Sequence, residues 1–247
     1  MFDVPMKTRD CMDTSSMLNS LMGGSVSGQQ STPVQQSYSQ PQQPAYSQPP
    51  QPRQRPSGNG VRLKKGQKVN LADTGVQLSN IQVCLGWDLK NQACDLDASA
   101  FMLGTDNRII GDDWFVFYGQ TNSPDGSVVH SGDSQGEGVG DDEIISINLL
   151  GVNPACKKIV FVVTIDEALT RGLNFSMVAN AYVRVVDQAT GNELVRFVLT
   201  DYYSNVTAMV VGEVYNHNGT WKFNAVGDGV AKDLAGLCAM YGVNVVD

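Results

Sequence analysis

"NAYVRVVDQATGNELVRFVLT", Asn180–Thr200, is the stretch whose reading decides the fold. Its two halves are rich in β-branched and aromatic residues and are separated by the turn-forming group "QATGN", so it predicts a β-hairpin. In the first half Tyr182, Arg184 and Val186 alternate with Val183, Val185 and Asp187, the period-two pattern of a strand with one wet face. The same texture recurs in "IVFVVTID" (159–166), "AMVVGEVYN" (208–216) and "TWKFNAVG" (220–227), the last two joined by "HNG". Upstream, "VQLSNIQVCLGWD", "SAFML", "WFVFYG" and "EIISINLL" read similarly, and Trp87, Trp114 and Trp221 among these runs read as core. About nine or ten short strands predict an all-β fold, an antiparallel β-sandwich. Two short helices are expected beside it. One spans "DEALTRG" (166–172). The other spans "VAKDLAGLCAMYG" (230–242), where Ala231, Leu234, Leu237, Cys238 and Tyr241 repeat at helical spacing and Gly242 supplies a stop.

Working outward, the β pattern begins at Val61, and residues 61–247 read as one domain. Residues 25–60 are a low-complexity tract of Gln, Pro, Ser and Tyr with the imperfect repeat "YSQPQQPA", "YSQPPQPR". So little apolar surface cannot offset the entropy of folding, and the tract reads as a disordered, semi-stiff linker. Ahead of it, residues 1–24 form a short Met-rich segment in which Met17, Leu18, Leu21 and Met22 share a face if helical. One such face is too short to be stable alone. It reads as a terminus or as a partner-binding peptide that orders on contact.

The net charge is −8, and residues 1–60 carry four Lys/Arg against three Asp, so the domain sits near −9. That sign argues against nucleic acid or an anionic membrane surface as the partner, since both require a basic face. No leader pattern and no long apolar run occurs in the sequence, and the five cysteines, Cys11, Cys84, Cys94, Cys156 and Cys238, form no CxxC pair or Cys/His cluster. Scattered thiols fit a reducing compartment, so a cytoplasmic protein with no transmembrane segment is expected.

The chemistry concentrates in "SGDSQGEGVGDDE" (131–143), with four glycines and five carboxylates. No Lys or Arg occurs between Arg108 and Lys157. Two readings stand: a solvated acidic turn, or a seat for a hard cation such as Ca²⁺, which takes carboxylate, carbonyl and water oxygens. Glycines at 132, 136, 138 and 140 would let carbonyls as well as side chains face one point. A second acidic group, Asp88, Asp95 and Asp97, precedes it; in a strand Asp95 and Asp97 point the same way with Leu96 turned inward. If the two segments meet, they form one or two oxygen cages. An EF-hand is excluded, because Ala100 stands at the glycine position counted from Asp95 and Ile144 at the twelfth position counted from Asp133. "GEGVG" lacks the strand–helix frame of a nucleotide loop, and "GDSQG" lacks a matching base, the only histidines being His130 and His217.

In chain order, "LKKGQKVNL", "CLGWD", "DLDASAFML", "FVFYGQTNSPDGSVVHSGD", "GDDEIISINL", "FVVTIDEA", "NFSMVANAYVRVVD" and "GEVYNHNGTWKFNAVGDG" resemble the TerD-type tellurite-resistance and stress-response family, from about Val61 to Val246. The resemblance implies a calcium-binding β-sandwich without established enzymatic activity, tied to tellurite resistance, chemical or oxidative stress and phage defence. It implies that metal is held by Asp88 of "GWD", by Asp95 and Asp97 of "DLDAS", and by Asp133, Gly136, Glu137, Gly138, Asp141, Asp142 and Glu143 of the acidic loop. Compared with the usual "GDNxTGEGDGDDE", the loop is one residue shorter and Val139 replaces an acidic residue; Gly119 stands where "FYNQ" has a polar side chain. Whether one or two Ca²⁺ ions bind is therefore open. Protein partners are expected through the N-terminal segment or the loop surface. The Gln/Pro/Tyr tract also resembles that of eukaryotic relatives described as cyclic-AMP-binding proteins. This implies a second reading, a cyclic-nucleotide site; such a site needs a phosphate anchor, for which Arg184 or Arg196 is the candidate, although a solvated strand face explains both arginines more simply.

Overall fold

A computed structural model describes residues 57–72, 78–90, 94–132, 140–200 and 204–245. The Met-rich segment and the tyrosine repeat lie outside the described residues. Twelve strands form two six-stranded sheets. Sheet I has the order β1 (Val61–Leu63), β10 (Glu193–Val198), β9 (Val178–Asp187), β3 (Asn80–Leu89), β7 (Glu143–Asn148), β6 (Val128–His130). Sheet II has the order β2 (Lys68–Asn70), β12 (Thr220–Val230), β11 (Ala208–His217), β8 (Lys158–Ile165), β4 (Leu96–Leu103), β5 (Phe115–Val116). All the strand pairs are antiparallel except β1, which runs parallel to β10. The strands beyond the expected nine or ten include the three-residue edges β1, β2 and β6, too short to carry an alternation signal.

The opening stretch forms the β9–β10 hairpin as read. Asp187 closes its turn, accepting the Ala189 amide at 3.1 Å and the Thr190 hydroxyl at 2.7 Å, and Gly191 takes a left-handed φ of 72°. In "HNG" the central pair Asn218–Gly219 has φ values of 53° and 81°, the conformation that favours Asn-Gly in a two-residue hairpin turn.

The sheets pack face to face. Ile81, Val83, Leu85, Ile145, Val183 and Val185 of sheet I meet Ala98, Ala100, Met102, Phe161, Met209 and Phe223 of sheet II. The sheets differ on their outer sides. Sheet II is covered there by α2 (Leu234–Tyr241), whose Leu237 and Cys238 pack on Phe101, Leu103, Val160, Val162, Ala208 and Val210. Every residue of β4 is buried, and its second half, "AFML" (100–103), like β8, reads as a continuous rather than alternating apolar run. Phe101 stacks on Phe115 with ring centroids 4.4 Å apart, and Tyr241 of α2 closes on Phe101 at 4.7 Å. Asp233 caps α2 by accepting the Gly236 amide at 2.8 Å, and Gly242 ends it with φ 85°. Ala231, expected on the packed face, precedes this cap and is exposed. The other helix is the single turn α1 (Ala168–Arg171).

Gly212 sits where the β11 register shifts, and a Cβ there would lie 2.6 Å from Cζ of the fully buried Phe223 and 3.1 Å from the Asn224 carbonyl oxygen. Neither can retreat. Gly212→Ala is expected to lower stability by about 1–3 kcal/mol in urea unfolding, the range typical of overpacked cores.

Candidate metal centre

Asp88, Asp95, Asp97, Asp142 and Glu143 lie at or near the ends of β3, β4 and β7. Asp88 lies in β3 and accepts Nδ2 of Asn180 at 2.7 Å. The pairing of β3 with β9 shifts there, from Gly86 opposite Tyr182 to Asp88 opposite Ala179, so β9 carries one extra residue. Asn180 lies in this bulge with φ 51°, a left-handed conformation that asparagine tolerates better than most residues. Asp95 precedes β4, and its carbonyl accepts the Asp166 amide at 2.8 Å. Asp97 lies in β4 opposite Thr164 and is buried, while Leu96 turns into the core as the alternation required.

The exit of the acidic loop is tied down at consecutive residues. Asp142 donates its amide to the Leu85 carbonyl at 2.8 Å, and its Oδ2 accepts the Trp87 amide at 2.7 Å. Glu143 crosses from sheet I to sheet II, its Oε2 accepting the Ala98 amide at 2.6 Å. The two bonded amides belong to the chain neighbours of Asp88 and Asp97. The segments carrying the two predicted half-sites are thus brought together by buried carboxylate–amide bonds.

His130 completes this joint, and the sequence reading gave it no role. Its Nδ1 accepts the Gly132 amide at 3.0 Å, so the ring proton sits on Nε2, 3.2 Å from Glu143 Oε2 and 3.1 Å from the Ala98 carbonyl. Its signal was its place in β6, immediately before the glycine-rich loop. Asp133, Gly136, Glu137 and Gly138 lie outside the described residues. Among the described residues no group of three or more His, Cys, Asp or Glu side chains is placed to hold a metal ion. The acidic donors at Asp88, Asp95 and Asp97 are all oxygen, the set preferred by a hard cation.

The two candidate phosphate anchors are engaged elsewhere. Arg184 forks onto Asp141, with Nε 2.9 Å from Oδ1 and Nη2 2.6 Å from Oδ2. Arg196 forks onto Glu193, with Nε 3.0 Å from Oε1. Asp141, first by its hydrogen bonds to Arg184, holds that guanidinium well above the ordinary arginine pKa. The described cysteines, Cys84, Cys94, Cys156 and Cys238, are all buried free thiols. Burial pushes Cys84, Cys156 and Cys238 up to about 12, with the Asp141 charge assisting at Cys84, and burial raises Cys94 as well.

A mostly antiparallel sandwich with an acidic loop pinned across its sheets defines an acidic-loop β-sandwich. The chain belongs to the TerD domain family, whose model matches residues 60–241. It is 46% identical over 188 residues to "Tellurium resistance protein TerD" of Serratia marcescens, covering 74% of this chain and 98% of that protein. It is 44% identical over 190 residues to "General stress protein 16U" of Bacillus subtilis (strain 168), covering 75% of this chain and 98% of that protein. These names describe resistance and stress proteins and name no enzymatic activity. The solved homologue of telluride resistance protein (TerD) from Streptomyces coelicolor A3(2) has the same fold, with a TM-score of 0.52 at 23% identity, covering 69% of this chain and all of that one. Among the described residues no helix is long and apolar enough to cross a membrane.

Glu143→Ala strands the buried Ala98 amide and removes one of the two acceptors facing the His130 Nε2–H, and is expected to cost about 2–3 kcal/mol in urea unfolding with chelator present; Glu143→Gln, which keeps an acceptor, costs less. Thiol labelling tests the cysteine burial. A Cys11→Ser chain should react with Ellman's reagent far more slowly when native than in denaturant, where all four remaining thiols titrate.

Proposed function

We propose that this chain is a non-enzymatic Ca²⁺-binding module of a tellurium-resistance or stress-response protein. The supporting observation is the pair of bonds from Asp142 to the Trp87 amide and from Glu143 to the Ala98 amide, which join the segment after the acidic loop to the segments bearing Asp88 and Asp97. Asp88, Asp95, Asp97, Asp133 and Glu137, with carbonyls at Gly136 and Gly138, would hold the ion. Asp142 and Glu143 fasten the frame around it. Bound Ca²⁺ supplies positive charge that removes the repulsion among these carboxylates, so occupancy is linked to stability. The neutralised loops then present a surface to a protein partner.

The histidines give little support to hydrolytic chemistry. Both ring nitrogens of His130 face hydrogen-bond partners, and His217 is exposed at the end of β11. Family membership and the names of the relatives support the stress-response reading.

Isothermal titration of the chelator-treated full chain tests the proposal. Ca²⁺ is expected to bind and to raise the melting temperature, with about 2.7 kcal/mol of stabilisation at a hundredfold excess over Kd. Asp95→Ala combined with Asp97→Ala should abolish both effects, and Glu137→Ala should weaken them less. Absence of heat and of any melting shift in the wild-type chain would refute the proposal.

A further inference from the structure

The outer face of sheet I holds a polar network that the sequence did not announce. From β9, Asn180, Tyr182 and Arg184 form one outward row, because Ala181, Val183 and Val185 turn into the core. Asn180 bonds Asp88, and the other two converge on Asp141. The Tyr182 hydroxyl donates to Asp141 Oδ1 at 2.7 Å, and the Arg184 fork occupies both carboxylate oxygens. The Asp141 side chain is only 5% exposed.

The grip is itself supported. Arg184 Nη1 lies 3.5 Å from Glu193 Oε2, and Glu193, 2% exposed, is also held by Arg196. The Arg196 guanidinium stacks over the Tyr182 ring, 4.5 Å from its centroid. Gly86 leaves the space for that ring: a Cβ there would lie 2.4 Å from Tyr182 Cζ. Tyr182 and Arg184 are therefore fixed before they reach Asp141.

We propose that Arg184 is the resident cation of Asp141, so that Asp141 is a latch for the loop exit rather than a Ca²⁺ ligand. Arg184 and Tyr182 are then positioning residues that hold the start of β7 whether or not an ion is present. This departs from the ligand set that the family resemblance implies, and it rests on the calcium reading only for the division of the carboxylates. A divalent ion reaching Asp141 would either break the fork, leaving a largely buried guanidinium with Glu193, or sit against that guanidinium's like charge. Removing one partner from a buried pair is costly because the other charge is left uncompensated.

The test uses the full chain with Asp141→Asn, Arg184→Met and the double substitution, each titrated with Ca²⁺ at a temperature where it is folded. Asp141→Asn is expected to keep the wild-type stoichiometry, with Kd changed by less than about threefold, although its melting temperature falls. Arg184→Met uncovers a carboxylate and should tighten Ca²⁺ binding or enlarge the Ca²⁺-induced melting shift, a gain that a purely structural role would not produce. The double variant should return to the wild-type response. A loss of stoichiometry or a weakening beyond about tenfold in Asp141→Asn overturns the proposal, as does an Arg184→Met response no larger than wild type. If a single variant does not fold, the double variant decides by the same limits. If the wild-type chain takes up no Ca²⁺, the calcium reading fails, and the latch is judged by a double-mutant cycle in urea with chelator. Coupling of about tenfold or more in the unfolding constant supports it, and additivity overturns it.

Discussion

The bond from the Glu143 carboxylate to the Ala98 amide is the constraint around which the molecule is arranged. It runs from the first residue of β7 in sheet I to the third residue of β4 in sheet II, so it joins the two layers directly. Hydrophobic packing holds the sheets together but is non-directional and fixes their relative position only loosely. A buried charged hydrogen bond is directional, and leaving either group unpaired is expensive. Here it fixes which residue of β7 faces which residue of β4. His130 adds a further contact, and through Gly132 it also fixes the entry of the acidic loop. Entry and exit are thus anchored to one buried carboxylate.

The two outer faces divide the remaining tasks. Part of the outer side of sheet II is covered by α2 and a cluster of aromatic side chains, an apolar contact. Sheet I has no comparable helix among the described residues. Its outer face is closed by side chains alone: Arg62, Arg184 and Arg196 set against Glu193 and Asp141, with the Tyr182 ring between. Such a network stays shut because each charged group finds a partner of opposite sign, and removal of one member exposes the rest to an unsatisfied charge.

Much of this fold was legible because its signals are local. Alternation in β9, the Asn218–Gly219 turn and the Gly242 stop each act within a few residues, and the strand, turn and stop formed as read, although Tyr182 and Val186 on the expected wet face of β9 are buried. The three-residue edge strands gave no signal, since a period of two needs more positions to be seen. The parallel pairing of β1 with β10 depends on which edge remained open, a property of the assembled sheet. At the candidate site, spacing turned Leu96 into the core beside Asp97, as found. It could not reveal that Arg184 lies against Asp141, because the two are 43 positions apart and meet only through sheet pairing. The bulge at Asn180 was hidden for the same reason, being a mismatch between two strands rather than a property of one.

That long-range contact changes how the charge pattern is to be understood. No Lys or Arg lies between Arg108 and Lys157, and a linear reading leaves all the carboxylates there uncompensated. Folding supplies compensation unevenly. Asp141 receives a guanidinium, while Asp142 accepts the Trp87 amide and Glu143 the Ala98 amide. Asp125 is engaged by three donors, the Ser123 hydroxyl and the amides of Ser127 and Asn153. These outweigh burial and keep its carboxyl below the ordinary range. An acidic run is therefore a poor count of metal ligands, because folding assigns several of its members to the protein itself.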